Sequence, residues 1–403
     1  MPRTESVRRW ALPVNLTIHR GAKQIGGSCI ELASGQTRLI LDVGLPLDAD
    51  PEILKKTPNH YRPAVDGLFA DDKSGAHVDA VLLSHFHPDH SRFLSHVHPS
   101  IPVYMSEGSR RVMQALEVFL PHRTLPPNVQ VMRTLPLLTQ TVGPFQIEPI
   151  LVDHSAPDSL AFLIRAEGKS FLYTGDFRAH GRKGATFDAL IRRVPNGLDA
   201  LLIEGTMVGS CRTTALCRSE ADLEVEIGRH VAAAAPGPIL ANFSPTNMDR
   251  LISFMRVCQR ARIELVVDLF TAYLYDQFHQ IGWKIPALKD SPLRVLYFRG
   301  HADALAKAGK RQFLFDTKGR KIEFSDLTEQ TKRVILFRPN HLRNYLKRKI
   351  AFSKALLINS QYEGTYPGQE KMTQDFASYV RDNVLGPNFF VTDRLGFQFS
   401  WMS

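Results

Sequence analysis

The sequence predicts an α/β protein made of two unlike parts: an αββα sandwich first, then a parallel sheet covered by helices. Three observations carry this. Up to about residue 206 the chain runs as short, β-branched apolar segments broken by glycine turns, the pattern of stacked sheets. From about Met207 it changes to strand–helix–strand alternation, which implies parallel strands joined by crossover helices. Between these, the apolar run 78–83 stops abruptly at Ser84-His85-Phe86-His87-Pro88-Asp89-His90, which sets three imidazoles and a carboxylate on a tight turn at a strand end.

With 403 residues the chain is long enough for two or more domains with substantial cores. Its 44% hydrophobic and 22% charged residues are ordinary for a soluble globular protein. No apolar run approaches the ~20 residues that cross a bilayer, and residues 1–10 carry Arg3, Arg8 and Arg9 with no apolar stretch behind them. Neither a membrane span nor a signal peptide is expected. Cys29, Cys211, Cys217 and Cys258 have no zinc-knuckle spacing and no disulfide framework, which points to a reduced, cytoplasmic setting. The formal net charge is +10, and residues 299–350 hold fourteen Lys and Arg against five Asp and Glu. Such a cluster is either a polyanion footprint or a solvated face. A phosphodiester substrate would account for both it and the histidine stretch.

Residues 15–22 and 28–33 read as strands around Gln24-Ile25-Gly26-Gly27, and 37–43 as a third strand ending in Leu41-Asp42-Val43-Gly44. The polar, proline-containing stretch 46–75 reads as a loop or lid. After the histidine stretch come a strand at 101–105 and a helix at 106–119, with Ser106 and Glu107 at its start and Pro121 as its stop. A strand pair at 141–152 ends in Val152-Asp153-His154-Ser155. Strands at 160–166 and 170–173 run into Tyr173-Thr174-Gly175-Asp176-Phe177, and a strand at 198–203 into Glu204-Gly205-Thr206. In the second part, a helix at 219–235 is followed by a strand at 238–243. Ser244-Pro245-Thr246-Asn247-Met248-Asp249-Arg250 opens the next helix, with further strands at 263–268, 293–298, 333–337 and 354–359 and a helix at 371–383. Phe313, Phe315, Phe324 and Tyr345 lie among the basic residues. They are core, or they stack on bases.

Histidine nitrogens and carboxylate oxygens at strand tips suit Zn²⁺, at roughly 2.0–2.2 Å from each donor. The stretch 84–90 resembles the signature of the metallo-β-lactamase superfamily, and the rest of the chain resembles its β-CASP branch, the RNA-processing nucleases. The resemblance implies a metallo-β-lactamase αββα sandwich (residues 1–206), an inserted β-CASP α/β domain (207–352) and a return segment (353–403). It implies that His85, His87 and His154 hold one zinc and Asp89 and His90 a second, with Asp176 bridging them and Asp42 orienting the ligands from beneath. Asp89, Asp176 and Glu204 would serve catalysis, Glu204 by relaying a proton or holding a ligand.

The string Arg178-Ala179-His180-Gly181-Arg182-Lys183 is either a substrate phosphate contact, through His180, Arg182 and Lys183, or a solvated loop. Ser244 and Asn247 either meet phosphate at a helix N-terminus or are ordinary capping residues. The expected activity is two-metal activation of water against RNA, or single-stranded DNA. The alternatives are a thioester or lactone hydrolase and a catalytically impaired nucleic-acid-binding homologue. The branch's His-x-Ser-Gly-His string has no counterpart, and no histidine follows His341. A C-terminally truncated member is therefore expected, with an incomplete ligand set for the second ion and exposed edges that favour a homodimer.

Overall fold

The computed structural model describes residues 13–120, 123–134, 138–205, 219–350, 352, 355–360, 378 and 389–391. Its first sheet has six strands in chain order: β1 (Val14–Arg20), β2 (Cys29–Ser34), β3 (Thr37–Leu41), β4 (Ala80–Leu82), β5 (Val103–Ser106) and β6 (Val129–Met132). The β1–β2 and β2–β3 pairs are antiparallel, and the remaining pairs are parallel. The second sheet has β7 (Gln140–Val142), β8 (Phe145–Leu151), β9 (Leu160–Ala166), β10 (Lys169–Tyr173) and β11 (Ala200–Leu202), in the order β11-β10-β9-β8-β7.

Strand periodicity explains how the sheets stack. On β3, Leu39 and Leu41 point one way and Ile40 the other. Leu39 and Leu41 meet Phe145, Ile147, Phe162 and Ile164 of the second sheet in one core. Ile40 joins Val81, Val103, Phe93 and Leu94 in another, on the outer face. The outer face of the second sheet buries Leu163 and Leu172 against Leu190 of helix α4 (Ala185–Arg193). The four-layer arrangement expected for this half is thus present. The expected loop 46–75 contains the short helix α1 (Pro51–Lys56), which starts because Asp50 caps it and Pro51 stands at its first turn. The histidine stretch carries α2 (Pro88–Ser91). Helix α3 (Glu107–Phe119) begins where its sequence signals, with Ser106 accepting from the Ser109 amide at 3.1 Å.

The second lobe is a seven-stranded, wholly parallel sheet. Its strands are β12 (Pro238–Asn242), β13 (Leu265–Asp268), β14 (Leu293–Leu296), β15 (Lys321–Ile322), β16 (Arg333–Leu336), β17 (Leu356–Asn359) and β18 (Phe389–Val391), in the order β15-β14-β13-β16-β12-β17-β18. Helices α5 (Glu220–Ala233), α6 (Met248–Ala261), α7 (Leu269–Gln280), α8 (Arg299–Lys307), α9 (Arg311–Asp316) and α10 (Leu342–Lys347) cover it. Ser219 and Asp222 form a reciprocal capping box on α5.

One expectation is corrected. The strand at 354–359 does not return to the first domain, because β17 pairs in parallel with β12 and β18 pairs with β17. Both β12 and β17 present buried apolar side chains to the two sides, which suits the interior of a parallel sheet covered on both faces. Of the helix expected at 371–383 only Ser378, which is helical, is described, and the string at 394–403 lies outside the described residues.

The lobes share a core. Phe86, Val112 and Ala115 of the first lobe pack with Phe243, Phe270 and Tyr273 of the second, and Phe119 meets Phe270 edge-on at 5.2 Å. Cys29 and Cys258 are buried and free, while Cys211 and Cys217 lie outside the described residues. No helix among the described residues is long and apolar enough to cross a membrane.

Candidate metal centre

Three strand ends and the short helix α2 of the first lobe converge on one buried cluster. His85 and His87 follow β4, Asp89 and His90 lie on α2, His154 follows β8 and Asp176 follows β10. The ring centroids of His85 and His90 are 4.2 Å apart, those of His85 and His154 4.7 Å, and those of His87 and His154 4.9 Å. His90 Nε2 lies 3.2 Å from Asp176 Oδ1 and 3.6 Å from Asp89 Oδ2. His85 Nε2 and His154 Nε2 lie 4.0 and 3.9 Å from Asp176 Oδ2. The donors fall into two sets, His85/His87/His154 and His85/His90/Asp176. His85 Nε2 and Asp89 Oδ1 are buried without a hydrogen-bond partner among the described residues. Buried polar atoms are rarely left so, and nitrogen and oxygen donors aimed at one another around a shared space fit a divalent ion.

The electrostatics agree. Burial pushes His85 and His87 well below the ordinary imidazole value and His154 down to about 3. These rings are therefore neutral, with lone pairs free to ligate. Burial pushes Asp89 up to about 7. Burial also opposes charge on His90 and Asp176, but each outweighs it through the other. The carboxylates of Asp176, Asp89 and Asp42 raise His90, and His90, with His154 and His87, holds Asp176 below the usual carboxylate range.

Asp42 lies beneath the cluster in a left-handed conformation, with φ of 59°. It accepts from the Ser84 amide and hydroxyl and from His90 Nδ1, each at 2.7 Å, and from the Tyr173 hydroxyl at 2.5 Å. The Nδ1–H of His90 is spent on Asp42, which turns Nε2 toward the cluster. Two glycines permit this packing. A Cβ on Gly44 would stand 1.5 Å from the Asp89 carbonyl oxygen, and Gly175, at φ +54°, lies against Ser84. On either side of Gly44, the Val43 and Leu45 amides donate to the carbonyls of His90 and Pro88 at 2.8 and 2.9 Å.

The other expected site residues are placed differently. Glu204 accepts from the Phe177 amide at 2.9 Å and so fastens the loop that leaves Asp176; Thr206 is outside the described residues. The string 178–183 takes part in an ionic bridge between the lobes. Arg178 is buried between Asp153 Oδ1 at 3.3 Å and Asp249 Oδ2 at 2.7 Å. Arg182, expected at a substrate phosphate, pairs instead with Glu224 and donates to Ser253 Oγ at 2.7 Å. Lys183 Nζ lies 3.4 Å from the His154 carbonyl and 3.8 Å from Asp249 Oδ1.

The His180 carbonyl accepts from the Glu220 amide at 2.8 Å, and burial lowers its imidazole to about 4. Asn247 is buried and caps α6 through the Arg250 amide at 3.2 Å, and Ser244 is buried 2.9 Å from the Thr246 hydroxyl. For Asn247 the plain capping role is the one observed. Sequence reasoning missed Ser84, Tyr173, Asp153 and Asp249. A hydroxyl beside the histidine stretch and a tyrosine at a buried strand end were the only signals.

In the second lobe, Asp268, His301 and His341 also gather, but the Arg338 guanidinium already pairs with Asp268, and a cation there competes with a metal. The basic region is partly consumed within the fold. Arg333 pairs with Glu264 at 2.8 Å and Lys332 donates to the Ala234 carbonyl at 2.7 Å. Tyr345 and Phe313 are core, whereas Phe315 is 68% exposed.

Comparison with known proteins agrees with this geometry. Residues 47–235 match the beta-lactamase superfamily domain. The chain is 27% identical over 234 residues to ribonuclease J of Corynebacterium glutamicum, an alignment covering 56% of this chain and 30% of that protein. It is 27% identical over 208 residues to Probable RNase MJ4 of Methanocaldococcus jannaschii, covering 47% and 45% respectively. The chain thus spans less than half the length of these relatives. A crystal structure of a protein of unknown function from Enterococcus faecalis shares the fold, with a TM-score of 0.69 over 94% of this chain and 87% of that one at 22% identity. The chain therefore carries a beta-lactamase superfamily domain and is similar to the ribonucleases J.

Proposed function

We propose that this protein is a zinc-dependent hydrolase that cleaves the phosphodiester bonds of RNA. One observation carries the proposal: six donors from three strand ends and helix α2 gather in one cluster, and two of their atoms, His85 Nε2 and Asp89 Oδ1, have no hydrogen-bond partner among the described residues. His85, His87 and His154 would hold one ion and Asp89 and His90 the other, with the Asp176 carboxylate available to both. A bound zinc ion polarises a phosphoryl oxygen and lowers the pKa of water.

The chain's own residues prepare the centre for this. Burial keeps three imidazoles neutral and therefore able to ligate. Asp42 fixes the ring of His90, and Glu204 steadies the loop that presents Asp176. Asp89, lifted to about 7 by burial, releases its proton when it binds a cation, so metal uptake is proton-linked. The RNA substrate is supported by the names of the relatives and by the unpaired part of the basic region in the second lobe.

Replacing Asp89 and His90 together by alanine tests the assignment. Cleavage of single-stranded RNA should fall about 100-fold or more, with a matching loss of zinc measured by mass spectrometry. Undiminished cleavage rejects the proposal.

A further inference from the structure

A small recess with an enclosed volume of about 30 Å³, open to solvent, lies beside the histidine stretch. His85 and His87 face the donors, and Phe86 between them points into this recess and into the core shared by the lobes. Arg92 at the end of α2 and Arg123 just beyond α3 line it, with Ser95, Thr124, Met113 and Leu116. Both arginines are partly buried. Among the described residues, neither side chain forms a hydrogen bond or an ion pair and no acidic side chain lines the recess.

Other buried or partly buried arginines have partners: Arg20 and Arg320 donate to backbone carbonyls. Arg178, Arg182 and Arg250, also buried or partly so, each have a carboxylate partner. Withdrawing a cation from water without a partner is costly, and placing two together adds repulsion. The Arg123 guanidinium registers both effects: burial first, then the Arg92 charge, push it down to about 10. At neutral pH it remains charged. Each guanidinium carries five N–H donors in a planar fork suited to two oxygens of one anion.

We propose that Arg92 and Arg123 form a phosphate-binding subsite, separate from the metal centre and walled off from it by Phe86. A phosphate bound there receives paired N–H donors from two forks and offsets the repulsion between them. The hydroxyls of Ser95 and Thr124 line the same recess. The phosphate comes either from the backbone of the nucleic acid that the proposed function invokes or from a free phosphoanion. The subsite itself does not depend on that function.

The test uses the full chain and Arg92→Gln, Arg123→Gln and His85→Ala variants, with inorganic phosphate, pyrophosphate and a short single-stranded RNA as probes. Wild type should show saturable thermal stabilisation by pyrophosphate, and each arginine variant should bind it about tenfold more weakly or worse. His85→Ala should keep the arginine-dependent part, which separates this subsite from phosphate bound at zinc and from any failure of the hydrolase reading. Without phosphate, the arginine variants should melt no lower than wild type, since each relieves a repulsion; a lower melting temperature would show that the arginines are structural and would overturn the proposal. If the variants also weaken RNA binding and flatten its salt dependence by about one unit of slope, the phosphate belongs to the backbone. If only phosphate and pyrophosphate respond, it is a free anion. Equal affinity of wild type and both arginine variants for all three probes overturns the subsite.

Discussion

The Asp42 carboxylate accepts four hydrogen bonds, from both the amide and the hydroxyl of Ser84, from His90 and from Tyr173. An amide in its place cannot accept at both positions. Asp42→Asn should therefore lower zinc affinity by about 10–100-fold, read by competition with a chelator. The candidate ligands are legible in the sequence, since histidine and aspartate at the tips of apolar runs stand out as residue types. Ser84 and Tyr173 are not, because their role depends on which strand ends face each other across two sheets. A second residue-scale prediction concerns His341, which burial, then Arg338, lowers to about 3 although Asp268 lies 3.2 Å away. The unfolded chain takes up that proton near the ordinary value of 6.5, well before the folded one does. The unfolded state thus binds more protons between these values, and stability is full above 6.5 and falls as pH drops toward 3. His341→Gln should flatten this part of the melting temperature–pH curve.

At the scale of elements, α2 is held by the loop after β3, whose amides at Val43 and Leu45 donate to the carbonyls of His90 and Pro88. A methyl group on Gly44 would overlap the Asp89 backbone. Gly44→Ala should cost about 3 kcal/mol of unfolding free energy in urea and reduce bound zinc at the same time. Strand character was legible for 354–359 from its apolar residues, but its partner was not. A parallel neighbour is chosen by register and by the helices that cover the sheet, neither of which is written in four or five residues. Helix α7 escapes a periodicity reading for a related reason: residues 269–275 are buried without interruption, so no polar face marks the helical repeat.

Across the whole molecule, the two lobes are joined by a shared apolar core and by buried ion pairs. Arg178 binds Asp153 of its own lobe and Asp249 of the other. Arg178→Met leaves both carboxylates buried without their counter-charge, which costs about 3–5 kcal/mol. The urea midpoint should drop accordingly, and the lobes should separate as units. Composition could not reveal this bridge, since a basic string reads the same whether it faces solvent, phosphate or a buried acid. The strands are also partitioned along the chain: those of the first two sheets all lie within residues 14–202, and those of the third within 238–391. A ribosome that has released residue 205 has already delivered Asp42 and all six donors, so the nascent polypeptide owns its ion-capturing apparatus while the other half is still being made. Order of synthesis therefore lets the candidate donors come together before the second lobe has emerged.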